Sequence, residues 1–284
     1  MPETQKPKNA ENEEAYIGKR GEEILINILK SRRDVVECIE KLAGRSIGNM
    51  VEVVRGKCFG LWKTDVVLIG FAGIRTGISL KTFKASGRPD VHLDRRWLDM
   101  PSKRAKPWLT VLCMPQNIVN ILRNGILNKA MASNPQAPLV PDPRHQDMVR
   151  NFLLQVIRKF LEEAFRNGEQ DLQALALLEY NSQPRLCLFN LDDVIVFIED
   201  NVRKKGITFG SRINIGDFIQ WQRKAGNGSR VKIPKTHPRH PGNQLQVKFM
   251  ARNFMHEAVK QINKQIRGCC YDLLMLQMRP AQGP

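Results

Sequence analysis

The chain has 284 residues, 42% hydrophobic and 26% charged, an ordinary globular mix that excludes wholesale disorder and leaves room for one large domain or two smaller ones. Its longest apolar runs, VVLIGF at 66–71 and LALLEY at 175–180, fall far short of the roughly 20 residues that span a bilayer. Lys and Arg number 45 against 28 Asp and Glu, a formal +17, and residues 201–284 alone carry 16 basic and 3 acidic side chains, an asymmetry that points to a polyanionic partner rather than a membrane surface.

In chain order, the polar segment 1–14 reads as a flexible tail with no secretory signal. From Ala15 the apolar residues Ile24, Leu25, Ile28, Leu29, Val35, Val36 and Ile39 have helical spacing, and Gly44 closes the run. A strand is predicted at MVEVV (50–54). TDVVLIGF and GISLKTF follow as two β-rich runs around a short Gly-containing turn, which predicts a hairpin. Residues 86–110 read as a charged loop, 117–129 as a short helix, and 131–143 as a Pro-rich connection and the candidate hinge. Helical periodicity resumes over 146–166 through Met148, Phe152, Val156, Phe160 and Ala164. A strand pair is expected at 173–189, then a helix from about Asp192, whose two aspartates suit a helix N-terminus. Strands ITFG, INIGDFIQWQRK and NQLQVKF occupy 207–249, and a helix covers 251–268.

The six cysteines at 38, 58, 113, 187, 269 and 270 show no CxxC pair and no zinc spacing, so they read as unpaired residues of a protein in a reducing cytoplasm. His237 and His240 lie in KTHPRHPG, where a turn is a better reading than a metal site.

The sharpest chemical signal is Asp65 near the start of one hairpin strand, with Ser79, Leu80 and Lys81 on the next. Side chains alternate along a strand, so Ser79 and Lys81 share a face. A carboxylate and an ammonium can then meet beside one phosphate. Asp oxygen suits Mg²⁺, which commonly takes one or two carboxylates, and Lys81 can position the attacking water. Taken alone, an Asp followed by S-x-K is common by chance.

With Glu22 and Glu23 on the preceding helix, the helix–strand–hairpin order and the basic C-terminal half, the sequence resembles the PD-(D/E)xK nuclease superfamily, and within it the type II restriction endonucleases. GKRGEEIL, TD and SLK are the matching motifs, and VHLDRRW and ITFGSRINIGDFIQWQRKAGNGSR through NQLQVKF are similar to parts of small GCGC-cutting restriction enzymes. The match spans most of 15–250. Ser79 departs from the pattern, because many relatives carry Asp or Glu there.

The resemblance implies Mg²⁺-dependent phosphodiester hydrolysis leaving 5′-phosphate and 3′-hydroxyl ends. The cation is expected on Asp65, the Leu80 carbonyl and Glu22, with Glu23 and Glu52 as alternatives to Glu22. Asp65, Ser79, Lys81 and Glu22 form the implied catalytic set. The implied partners are double-stranded DNA, a second copy of the chain at a symmetric site, and a DNA methyltransferase protecting the same sequence.

For DNA contact the candidates are Arg95 and Arg96, then Gln222, Arg223, Lys224 and Arg230 around a Gly-rich loop, then Gln244 and Gln246. Arg and Lys favour guanine edges, so a short G+C-rich palindrome is the expected target; phosphate contact alone is the competing role for the same side chains. Trp221 reads as core.

The predicted fold is α/β, a mixed central sheet flanked by helices with a β-rich C-terminal recognition region. The expected divisions are a nuclease core at 15–130 and a recognition region at 144–284, unless the two form one continuous domain. A structure-specific repair or recombination nuclease and a non-catalytic nucleic-acid-binding protein are the competing functional readings.

Overall fold

The computed structural model describes residues 10–48, 52–103, 105–132, 134, 136–225 and 231–274. The fold is mixed α/β, and the chain divides into two units that are not consecutive stretches of sequence. One takes the chain to Pro89, then Glu169–Val194 and the part from Met255; the other takes Asp90–Gly168 and Ile195–Phe254. Among the described residues, no helix is long and apolar enough to cross a membrane.

The first unit is built on a six-stranded sheet in the order β1-β2-β3-β5-β6-β11. Its strands are β1 (Glu52–Arg55), β2 (Val66–Ile69), β3 (Arg75–Lys84), β5 (Leu172–Tyr180), β6 (Arg185–Asn190) and β11 (Gly268–Asp272). β2 and β3 form the antiparallel hairpin expected from the sequence, with Val66 opposite Ile78. β3 and β5 pair in parallel, which makes the sheet mixed. Leu172 to Leu178 are buried on both faces apart from Gln173, as a central strand requires.

Helices α1 (Ala10–Ser31) and α2 (Arg33–Ala43) cover this sheet. The sequence predicts one continuous helix here. The chain instead breaks at Arg32, which is extended at φ −127° and ψ 96°. In an unbroken helix Leu25 and Val35 would stand about 80° apart around the axis. The break brings both into one core with Ile39, Leu68, Ile78 and Leu80. Gly44 ends α2 in the left-handed conformation at φ 65°, and its N–H donates to the Glu40 and Lys41 carbonyls, as its position predicts.

The second unit holds a five-stranded antiparallel sheet in the order β4-β10-β9-β8-β7. Its strands are β4 (Val91–Arg96), β7 (Ile207–Phe209), β8 (Ile213–Ile215), β9 (Ile219–Arg223) and β10 (Leu245–Phe249). Its helices are α3 (Trp108–Leu112), α4 (Gln116–Met131) and α5 (Pro143–Arg166). Asp142 caps α5 by accepting from the Arg144 N–H, with Pro143 at the first helical position. Trp221 belongs to the core, as expected from its apolar neighbours: its ring meets Trp108 at 5.7 Å and Phe160 at 5.5 Å between centroids. α6 (Leu191–Lys205) and α7 (Ala251–Val259) each begin in one unit and end in the other.

Three expectations change. Residues 91–96, read as part of a charged loop, are strand β4; two of its inward positions are the charged Asp94 and Arg96, which hide the apolar alternation. The helix expected over 251–268 stops at Val259, and the edge strand β11 follows. The cysteines read as unpaired include two disulfides, Cys38–Cys269 and Cys187–Cys270. The unpredicted β11 explains both: Cys270 lies opposite Cys187 on β6, and alternation turns Cys269 to the other face, toward Cys38 on α2. Cys58 and Cys113 are free and exposed. The turn reading of KTHPRHPG holds, because His240 Nδ1 accepts from the Gly242 N–H at 3.0 Å.

Arg96 is fully buried. Its guanidinium bonds Asp94 at 2.7 Å, Glu163 at 3.2 Å and Asn167 at 3.3 Å, and lies 4.4 Å over the Trp108 ring. Arg96→Ala strands these partners and is expected to destabilise the protein by about 3–5 kcal/mol in urea titrations.

Candidate active site

Asp65 stands one residue before β2, held in the sheet by its own N–H donating to the Ile78 carbonyl at 2.9 Å and its carbonyl accepting from Gly56 at 3.0 Å. That backbone placement aims its carboxylate at the next strand. Asp65 Oδ2 accepts from the Leu80 N–H at 2.6 Å and from Ser79 Oγ at 3.4 Å. The Lys81 ammonium lies 3.6 Å from the same oxygen. It also donates to Ser79 Oγ at 2.9 Å and to the Leu80 carbonyl at 3.2 Å. Three oxygens of different kinds thus converge on one cationic atom. Ser79 is buried, while Asp65 and Lys81 keep 28% and 14% of their side chains exposed, so solvent reaches the acid and the base.

Glu22 is the second acid of this group. Burial raises its carboxyl above the usual range, and the neighbouring Asp65 charge raises it further, against the opposing pull of Arg55 and Lys57. Glu23, one residue on, points away: it is 62% exposed and pairs with Arg55 at 3.1 Å. Glu52 sits at the far end of β1, opposite Ile69, whereas Arg55 at the near end lies opposite Val66. Of the three glutamates the structure therefore brings Glu22 to Asp65. Gly21 permits this approach, because a Cβ there would collide with Thr82 Cγ2 on β3.

Among the described residues no three His, Cys, Asp or Glu side chains gather into a metal-binding group. The donor set here is two carboxylates and a backbone carbonyl, which fits a hard divalent cation that keeps several waters, as Mg²⁺ does. The mutual repulsion of Glu22 and Asp65 is the electrostatic condition that such a cation relieves.

Sequence reasoning missed Glu169. One oxygen of its carboxylate accepts from the Trp62 and Lys63 N–H groups at 2.6 and 2.8 Å, and the other from the Thr64 N–H at 2.9 Å and the Thr64 hydroxyl at 2.7 Å. It fixes the three residues that lead into Asp65. No local pattern reveals a partnership across more than 100 residues. Glu169→Ala is expected to cost about 2 kcal/mol in thermal melts through the lost charge-assisted bonds, and to slow catalysis at Asp65 about 10²-fold through misplacement.

The sequence-derived DNA contacts divide sharply. Arg96 and Arg223 are withdrawn from solvent, Arg223 donating to Asn243 Oδ1 at 2.9 Å. Burial also lowers the Arg223 pKa. Both face the apolar side of the second sheet, so neither is presented to a ligand. Arg95 is exposed, Gln222, Lys224 and Gln244 are half-buried, and Gln246 is nearly covered. Arg230 lies outside the described residues.

Arg95, Gln246 and Gln222 sit side by side across β4, β10 and β9. The next outward row is His92, Lys248, Gln220 and Asn214. One sheet face is therefore polar, and the other carries Trp221, Leu245, Val247 and Phe249. Strict alternation along IQWQR was the available signal for the added members.

No family model matches the chain. No curated protein matches it. Among solved structures it is similar to the restriction endonuclease MspI in complex with its cognate DNA, with 13% identity and a TM-score of 0.48 over 76% of this chain and 77% of that one. At that identity and TM-score, nothing about this chain's chemistry follows from the likeness.

Proposed function

We propose that the protein is a Mg²⁺-dependent endonuclease that cuts double-stranded DNA, acting as a type II restriction enzyme at a short G+C-rich sequence. The observation that carries this reading is the convergence of the Asp65 carboxylate, the Lys81 ammonium and the Leu80 carbonyl within 3.6 Å, beside a Glu22 whose ionisation Asp65 opposes.

Asp65, Glu22 and the Leu80 carbonyl would hold the cation. Bound there, it neutralises charge on the scissile phosphate and on the departing 3′ oxygen. Lys81 is placed by Ser79 Oγ and Leu80 O and orients a water for in-line attack on phosphorus. Ser79 keeps the ammonium aimed rather than adding a negative ligand. The bond between phosphorus and the 3′ oxygen breaks, leaving a 5′-phosphate and a 3′-hydroxyl.

Recognition is assigned to the polar sheet face. Arg95 and Lys248 offer donors suited to guanine or phosphate, and Gln222 and Gln246 can pair with base edges. The basic excess over 201–284 supplies the sequence-independent part of binding.

Digestion of plasmid and of branched DNA with Mg²⁺ tests the reading. Discrete plasmid fragments support it. Cleavage confined to branch points replaces it with a structure-specific nuclease, and retention of DNA with no cleavage replaces it with a binding protein.

A further inference from the structure

The loop that leads into Asp65 has a property that the catalytic geometry does not use. Residues Gly56–Phe59 make a single 3-10 turn capped by Gly60 in the left-handed conformation. Beyond it, Trp62 is 54% exposed and Phe59 is 39% exposed. Large aromatics held at a surface cost free energy unless something covers them. The Trp62 backbone is not loose, because its N–H and the two that follow are bound by the Glu169 carboxylate. A tryptophan whose main chain is pinned while its ring stands in solvent is pre-organised for contact.

The chemistry around the ring indicates the partner. Phe59 lies beneath the Arg75 guanidinium, 4.5 Å from its centroid, and Lys57 is exposed in the same turn. Lys57 also acts electrostatically on Glu22, so this turn borders the carboxylate pair. Aromatic rings interleaved with cations suit a nucleic acid, whose bases offer π faces and whose phosphates offer charge. An acidic protein surface would satisfy the cations but would leave the indole without a stacking partner.

We propose that the Gly56–Lys63 loop is a second DNA-engaging element, in which Trp62 stacks on or wedges beside a base of the duplex while Lys57 and Arg75 hold flanking phosphates. This rests on the nuclease reading of the Asp65 site and adds the contact next to the scissile bond. Apolar wedges at base steps open and kink a duplex, so the loop also supplies a route to distorted DNA at the cut.

The test uses the full-length chain and a labelled mixed-sequence duplex, with divalent ions chelated so that the DNA stays intact. Trp62→Ala is expected to weaken binding about 5- to 150-fold, the range for one stacked aromatic, and Trp62→Phe to restore most of it. Quenching of tryptophan fluorescence by DNA should fall in Trp62→Phe, a change that a merely structural role does not produce. Unchanged quenching in Trp62→Phe, or binding of Trp62→Ala within about twofold of the parent, overturns the proposal.

Mg²⁺ added to the same samples separates the two readings. A Trp62-dependent complex that is never cut overturns the nuclease and keeps the loop. A duplex cut equally by parent and Trp62→Ala overturns the loop and keeps the nuclease.

Discussion

Replacing Asp65 by Asn is expected to lower Mg²⁺-supported DNA cleavage by on the order of 10³-fold or more, and Lys81→Met by on the order of 10²–10⁴-fold, with duplex binding retained in both. The asymmetry between chemistry and binding follows from geometry. Asp65 Oδ2 is the common partner of Leu80 N, Ser79 Oγ and the Lys81 ammonium, so an amide in its place removes the negative charge that organises all three. Lys81 is anchored by Ser79 and Leu80. Methionine preserves its bulk while deleting the ammonium that orients water. Gel-based cleavage rates beside filter binding check this directly. A binding protein with an incidental S-x-K motif would show neither loss.

The second large effect concerns Glu22, where stability and activity run in opposite directions. Burial first, and then the Asp65 charge, hold its carboxyl above the usual range. A group whose folded pKa is raised binds more protons in the folded state than in the unfolded one. Between the unfolded and folded values, stability therefore falls as pH rises. Glu22→Gln removes that proton linkage, and its melting temperature at neutral pH should be at or above the parent's. Catalysis needs the ionised form, so the acidic limb of the parent's rate–pH profile should lie above the normal carboxylate range. Glu22→Gln should cut the rate on the order of 10²-fold. A Glu22→Gln variant that is both less stable and fully active contradicts the placement of this residue. Glu23→Gln serves as the control, since Glu23 faces outward to Arg55.

Much of the first unit was legible because its signals are local. The hairpin of β2 and β3 follows from two β-rich runs around a Gly-containing turn, and the shared face of Ser79 and Lys81 follows from strand alternation. The expected mixed sheet flanked by helices is also the observed class. What escaped was non-local. The break at Arg32 responds to where Leu25 and Val35 must pack, and no window of sequence contains that sheet. β11 is short, and its partner β6 lies about 80 residues earlier, so neither it nor the two disulfides it creates leaves a periodic trace.

The site divides the same way. Asp65 and Lys81 could be read from adjoining strands, and Glu22 stood out only after the helix packed. Arg96 and Arg223 looked like DNA contacts because charge in a basic region invites that reading, yet alternation within β4 and β9 turns both inward. Arg95 and Gln222, their immediate neighbours, inherit the outward face. Glu169 carried no signal at all: its role exists only because the chain returns to the start of β5 beside the residues that precede Asp65.

The most direct test is incubation of the purified chain with DNA of known sequence, with and without Mg²⁺, followed by sequencing of the termini. The expected result is Mg²⁺-dependent breaks at one short G+C-rich sequence, with 5′-phosphate and 3′-hydroxyl ends, absent in Asp65→Asn. Intact DNA under all conditions, or breaks that persist undiminished in Asp65→Asn, would show that the Asp65–Lys81 cluster does not sever the phosphodiester.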